Sequence, residues 1–213
     1  MNAAPSRDGR RGRWADMLPT SKRLDPRGMR GPVTQAGFLP LVADRPEGLR
    51  TKVAGLLGEK DVALSLPARG KQSALARVAA RLAHRAGLDH GPVLAALLRR
   101  EHLGSTAIGN GVALPHARLD EISGPVAMLV TLQHPVAFDA PDGEPVDLLL
   151  AVLWPRSDRQ RFLPALSQFC RLLRHPELRE RIRASESPAE VLAWMDAFEE
   201  ESAAAGFHAA GSA

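Results

Sequence analysis

His116 is the side chain in this sequence best set up to do chemistry. It follows Pro115 directly, near the end of a run that reads Gly104-Ser105-Thr106-Ala107-Ile108-Gly109-Asn110-Gly111-Val112-Ala113-Leu114-Pro115-His116-Ala117-Arg118. An imidazole is nucleophilic while neutral and titrates close to cellular pH, which suits the relay of a group between partners. Other candidates lack such a setting. Gly70-Lys71-Gln72-Ser73 has the outline of a phosphate loop, but Ser65 stands where the motif needs glycine and Gln72 where serine or threonine should follow the lysine. Cys170 lies in an apolar stretch and reads as core. A single cysteine also excludes an internal disulfide and a multi-cysteine metal site. His84 and His102 read as surface residues and His134 as structural.

The elements around His116 must aim it. Thr106-Ala107-Ile108 and Val112-Ala113-Leu114 form two short extended pieces about Gly109-Asn110-Gly111, whose residue types tolerate the positive φ of a tight reversal. Pro115 cannot donate to a sheet ladder and ends the pairing, so the imidazole leaves the chain just past a strand end. Upstream, Leu75, Val78, Leu82 and Ala86 fall on one face of a helix over Lys71 to Ala86. A second helix opens after Asp89 with Pro92 in its first turn, carries Val93, Leu94, Leu97 and Leu98 inward, and ends at Arg99-Arg100-Glu101-His102. Arginines there complement the negative end of the helix.

Downstream, Pro125 to Leu132 and Val146 to Leu153 are apolar runs of strand length, as expected of strands covered on both faces. Pro135 to Gly143 reads as a short strand and a Pro-Asp-Gly turn. After Trp154-Pro155, residues Arg156 to Arg161 read as a charged loop, followed by a helical pattern through Leu163, Leu166, Phe169, Leu172 and Leu173. Pro176 to Arg183 is a short helix. Ser187-Pro188-Ala189-Glu190 is a capping-box pattern that opens a last helix through Trp194 and Phe198. Helices before, between and after apolar strands give an α/β sandwich around a mixed sheet.

Of the chain's 213 residues, 45% are hydrophobic, enough for one domain with a real core. The net charge of +4 is uneven: residues 1–50 hold ten of the 28 basic groups but only five of the 24 acidic ones, which leaves the rest almost neutral. Residues 1–55 therefore read as a basic, disordered extension, 56–200 as the domain, and 201–213 as a frayed tail. Arginines without interleaved aromatics are those of a solvated arm, so nucleic acid is not expected as a partner. No run approaches the ~20 apolar residues of a transmembrane helix. The N-terminal arginines lack an apolar segment behind them, and the expected location is the cytoplasm.

The run from Gly104 to His116 resembles the active-site signature of the fructose/mannitol-type IIA components of the bacterial phosphotransferase system, and most closely the stand-alone nitrogen-regulatory IIA branch. The resemblance extends from about Leu56 to about Met195. It implies a three-layer α/β/α fold and a phosphotransferase component in which His116 accepts a phosphoryl group through Nε2 from an HPr-like carrier, without a metal. Arg100 matches a family arginine beside the phosphorylated histidine, and a guanidinium fork suits the roughly two negative charges of a phosphohistidine. Backbone N–H groups around Gly109, Asn110 and Gly111 are expected to support the phosphate. The resemblance departs at Phe162, where the family commonly carries a second histidine. A phenyl ring neither donates a hydrogen bond nor holds charge, so phosphate handling is expected to rest on Arg100 and the backbone. Three functions follow: a nitrogen-regulatory phosphocarrier whose phosphorylation state alters its binding to target kinases or transporters, a sugar-uptake IIA that hands phosphate to a IIB protein, and a binding module that has lost the relay.

Overall fold

The computed structural model describes residues 54–210, so nearly all of the expected N-terminal extension, together with residues 211–213, lies outside the described residues. The strands are β1 (Val62–Leu66), β2 (Ala107–Gly109), β3 (Val112–Ala113), β4 (His116–Leu119), β5 (Val126–Val136) and β6 (Val146–Pro155). The helices are α1 (Lys71–Ala86), α2 (His90–His102), α3 (Arg159–Leu172), α4 (Pro176–Ala184) and α5 (Pro188–Ala210). The sheet runs β1-β5-β6-β3-β2, with β4 also paired to β6. β1 is parallel to β5, β5 antiparallel to β6, β3 and β4 parallel to β6, and β2 antiparallel to β3. The sheet is thus mixed.

Side chains alternate across a strand, so an apolar run buried on both sides must supply two cores. β6 does this residue by residue. Leu149, Ala151 and Leu153 join Met128 and Val130 of β5 under α1 and α2. Leu148, Leu150, Val152 and Trp154 join Ala127 and Leu129 under α3, α4 and α5. Helices on both faces of one sheet make the three-layer α/β/α sandwich that the sequence led us to expect.

Three elements differ from the sequence reading. β5 does not stop near Leu132 but continues through Gln133, His134 and Pro135 to Val136, which pairs with Val146 beyond a register shift. An irregular stretch tolerates a proline that a regular ladder would not. α3 begins at Arg159, inside the segment read as a loop, because Asp158 accepts a hydrogen bond from the Arg161 N–H and caps it. α5 runs on to Ala210, past the expected frayed end at Glu201.

The β2–β3 hairpin turns at Gly109-Asn110-Gly111, where φ is +87°, +56° and +75°. The Asn110 N–H donates to Asp142 Oδ2 at 2.7 Å. Arg183 pairs with Asp147 (2.7 Å) and donates through Nη2 to the Asn110 carbonyl (3.1 Å). A Cβ on Gly111 would fall 2.5 Å from that same Nη2 and 3.0 Å from Asp147 Oδ1. Gly111→Ala is therefore expected to cost about 1–3 kcal/mol through left-handed backbone strain and a displaced ion pair, read as a shift in chemical-denaturation midpoint at unchanged slope.

Candidate functional site

β3 and β4 lie end to end along the same edge of β6: Val112 and Ala113 register with Leu148 and Leu149, and His116 with Val152. Leu114 and Pro115 bridge them. The Pro115 carbonyl still accepts from the Val152 N–H at 2.9 Å, but its nitrogen donates nothing. Leu114 bonds away from β6, its N–H donating to the Thr106 carbonyl at 2.9 Å. The Leu114 carbonyl lies 2.8 Å from Nδ1 of His116. A carbonyl only accepts, so Nδ1 carries the proton and donates to it.

The other ring nitrogen is equally constrained. Arg100 reaches from the last turn of α2 and places its Nε 2.9 Å from His116 Nε2. A guanidinium only donates, so Nε2 presents a lone pair. Arg100 also donates through Nη1 to the Gly104 carbonyl at 2.9 Å, which ties the side chain to the chain leaving its own helix. Complementing a helix end and facing the imidazole are thus one act of one side chain. Burial lowers the His116 pKa below 6.5; the Leu114 carbonyl and Glu101 pull it up, and the Arg100 cation pushes it further down. The imidazole is held neutral, with Nε2 as its unprotonated nitrogen.

These groups face an open cleft of about 1290 Å³. Cations dominate its lining: Lys71, Arg99, Arg100, Arg118 and Arg156, against Glu101 and Asp139. Lys71 is spoken for, lying 2.5 Å from Glu101 Oε1 and 3.0 Å from Asp139 Oδ2. Burial opposes its charge, but hydrogen bonds to both carboxylates outweigh that and raise its pKa. Buried Glu101 also accepts from the Thr106 N–H (3.0 Å) and hydroxyl (2.5 Å), pinning the end of α2 to the start of β2. Phe162, from the first turns of α3, sets its ring edge-on to His116 with centroids 5.7 Å apart.

His116 and Arg100, singled out from the sequence, are in contact. Gly109, Asn110 and Gly111 are not brought to them. The turn joins β6 four residues earlier than His116 does, about 13 Å along a strand at 3.3 Å per residue, and the Asn110 N–H is engaged by Asp142. The glycines shape the hairpin; the polar group nearest the ring comes instead from Leu114. His102, read as a surface residue, lies on the cleft lining and is exposed. Lys71, Glu101 and Arg118 were missed. Only Arg118 left a trace: two residues beyond His116 on a strand, it must share His116's face.

The model of the phosphoenolpyruvate-dependent sugar phosphotransferase system, EIIA 2, matches residues 56–197. This chain belongs to that family. Among relatives of this EIIA 2 domain is a nitrogen regulatory protein of Klebsiella oxytoca, 36% identical over 141 residues, which are 66% of this chain and 87% of the relative. A nitrogen regulatory protein of Escherichia coli K12 is 39% identical over 124 residues, 58% and 76% of the two chains. Among solved structures, the nitrogen regulatory protein IIA-Ntr of Neisseria meningitidis superposes with a TM-score of 0.65 at 30% identity, covering 68% of this chain and 99% of that one. Within the family the EIIA 2 domain is thus of the nitrogen-regulatory kind. No helix among its described residues is long and apolar enough to cross a membrane.

Neutrality of His116 has a pH signature. Its ring is expected to titrate below 6.5 by NMR, and Arg100→Gln, which removes the nearby cation, to move the midpoint upward. The unfolded chain takes up the proton first as pH falls, so His116 contributes stability above pH 6.5 that is lost between 6.5 and the lower folded-state value.

Proposed function

We propose that this protein is a phosphohistidine carrier of a nitrogen-related phosphotransferase system: His116 accepts a phosphoryl group from an HPr-like donor, and the phosphorylation state changes how the protein engages its targets. The observation that carries this reading is the polarity of the imidazole, with Nδ1–H bonded to the Leu114 carbonyl and the Nε2 lone pair toward Arg100 and the open cleft. The nitrogen-regulatory names of the relatives support the regulatory half of it.

In the proposed reaction the Nε2 lone pair attacks phosphorus on the donor's phosphohistidine. The new N–P bond forms as the donor's N–P bond breaks, and that electron pair returns to the donor imidazole. His116 keeps its Nδ1 proton, so the positive charge that develops on its ring leans on the Leu114 carbonyl. Arg100 releases the lone pair and donates to phosphoryl oxygens instead, which requires only a shift of the guanidinium along the same cleft. Phosphoryl transfer needs little covalent help from protein beyond positioning and charge. The lowered pKa adds to this by keeping Nε2 free of protons at neutral pH. No cofactor takes part.

Incubation with a phosphoenolpyruvate-driven enzyme I and HPr-type pair, followed by intact mass, tests the reading. One acid-labile phosphoryl group is expected, absent in His116→Ala, with Arg100→Gln slowed about a hundred-fold as for loss of a charge-stabilising donor. A folded wild-type chain that gains no mass from an active donor would refute it.

A further inference from the structure

Arg118 has no part in the chemistry described so far, yet its surroundings are those of a held ligand. It lies two residues beyond His116 on β4, where the pattern of half-buried and buried positions puts His116 and Arg118 on one face and Ala117 and Leu119 on the other. Same-face neighbours along a strand are about 7 Å apart at Cα, within reach of a phosphoryl group on the imidazole. Phe162 spans the two: its ring meets His116 at 5.7 Å and lies under the Arg118 guanidinium at 5.4 Å. On the far side Arg118 Nη2 donates to the Arg156 carbonyl at 2.6 Å. That grip leaves Nε, a buried donor with no protein partner. A buried N–H without an acceptor costs stability, about 1–3 kcal/mol for an ordinary group and more for a charged one, and such a group in a native site calls for an explanation. No carboxylate is ion-paired to this guanidinium among the described residues, whereas Lys71, Arg156 and Arg183 each have one.

We propose that Arg118 is the second phosphate-binding residue of this site, seated on the Phe162 ring and bonded to the phosphoryl group that Arg100 grips from the opposite side. The inference rests on the reading of His116 as the phosphoryl acceptor. Two guanidiniums then bracket an anion of roughly two charges, one from α2 and one from β4. The aromatic face holds the planar cation in place without neutralising it.

Two measurements test this. In the first, inorganic phosphate is titrated into the ¹⁵N-labelled, unphosphorylated chain while the Arg118 Nε–H resonance is followed, with Arg118→Lys to assign the signal. A saturable downfield shift is expected; an Arg118 signal that stays still while Arg100 responds overturns the proposal. In the second, the phosphorylated fraction is measured at equilibrium with an HPr-type donor. Arg118→Gln is expected to take its phosphoryl group on His116 but to shift the equilibrium about ten-fold toward the donor, the effect of one charge-assisted hydrogen bond, with Arg118→Lys intermediate. Equality of Arg118→Gln with wild type overturns the proposal. Failure of the wild type itself to accept phosphate falls on the parent reading, while the phosphate titration still decides whether Arg118 binds the anion. The titration, done on the unaltered fold, also decides the matter where Arg118→Gln does not fold.

Discussion

The site depends on the way β6 is bonded along one edge. Two consecutive segments, β3 and β4, pair with it in line, and between them stands Pro115, which has no N–H to offer. Around that interruption the polar groups of Leu114 point away from β6, one to Thr106 and one to the imidazole. An ordinary residue at 115 could continue the ladder unbroken. Leu114, whose N–H turns to Thr106 and not to β6, leaves its carbonyl to the imidazole, and that acceptor chooses the tautomer of His116. The chemistry of the ring therefore follows from a hydrogen bond that a regular strand would leave for sheet pairing.

Charge in the cleft is sorted by the same economy of partners. Glu101 is buried, and an unpaired carboxylate there would cost several kcal/mol. Lys71 from α1 and the N–H and hydroxyl of Thr106 meet that need together, so α1, the end of α2 and the start of β2 are tied at one point. Arg100, one residue before Glu101, inherits its position from this knot. Once the carboxylates of the cleft are occupied by Lys71, the field facing His116 is cationic. A negatively charged group arriving there meets Arg100 and Arg118, whose own partners are backbone carbonyls and rings, which do not cancel their charge.

Much of this was legible from residue types. The 3.6-residue spacing of Leu75, Val78 and Leu82 marks α1, and the apolar runs that became β5 and β6 announce a sheet covered on both faces. Proline and glycine were read well where they act locally, as at Pro115 and the 109–111 turn. Proline misled where tertiary pairing overrides it: Pro135 lies inside β5 because the strand has already lost its regular register. The glycines were given a role in phosphate support because sequence nearness to His116 stands in for nearness in space. An extended chain defeats that inference, since each residue carries it about 3.3 Å onward. Arg118 was overlooked for the converse reason, as its meaning comes from Phe162, 44 positions away.

Phe162 draws these threads together. Read from the sequence it is a loss, a ring without a proton or a charge where the family commonly has a second histidine. In the structure the ring packs between His116, Arg118 and Trp154. Burial is the largest cause of the lowered His116 pKa, and an apolar ring against the imidazole is part of that burial. A second histidine there would offer its own titration beside the first. The phenyl ring instead excludes water, keeps the neighbouring imidazole neutral, and presents a π-face to a guanidinium. Under the proposed function the departure moves the task of charge stabilisation from titratable rings to arginines, whose charge is constant over the whole pH range in which His116 changes state. In the proposed carrier, pH then acts on the nucleophile alone and not on the groups that receive the phosphate.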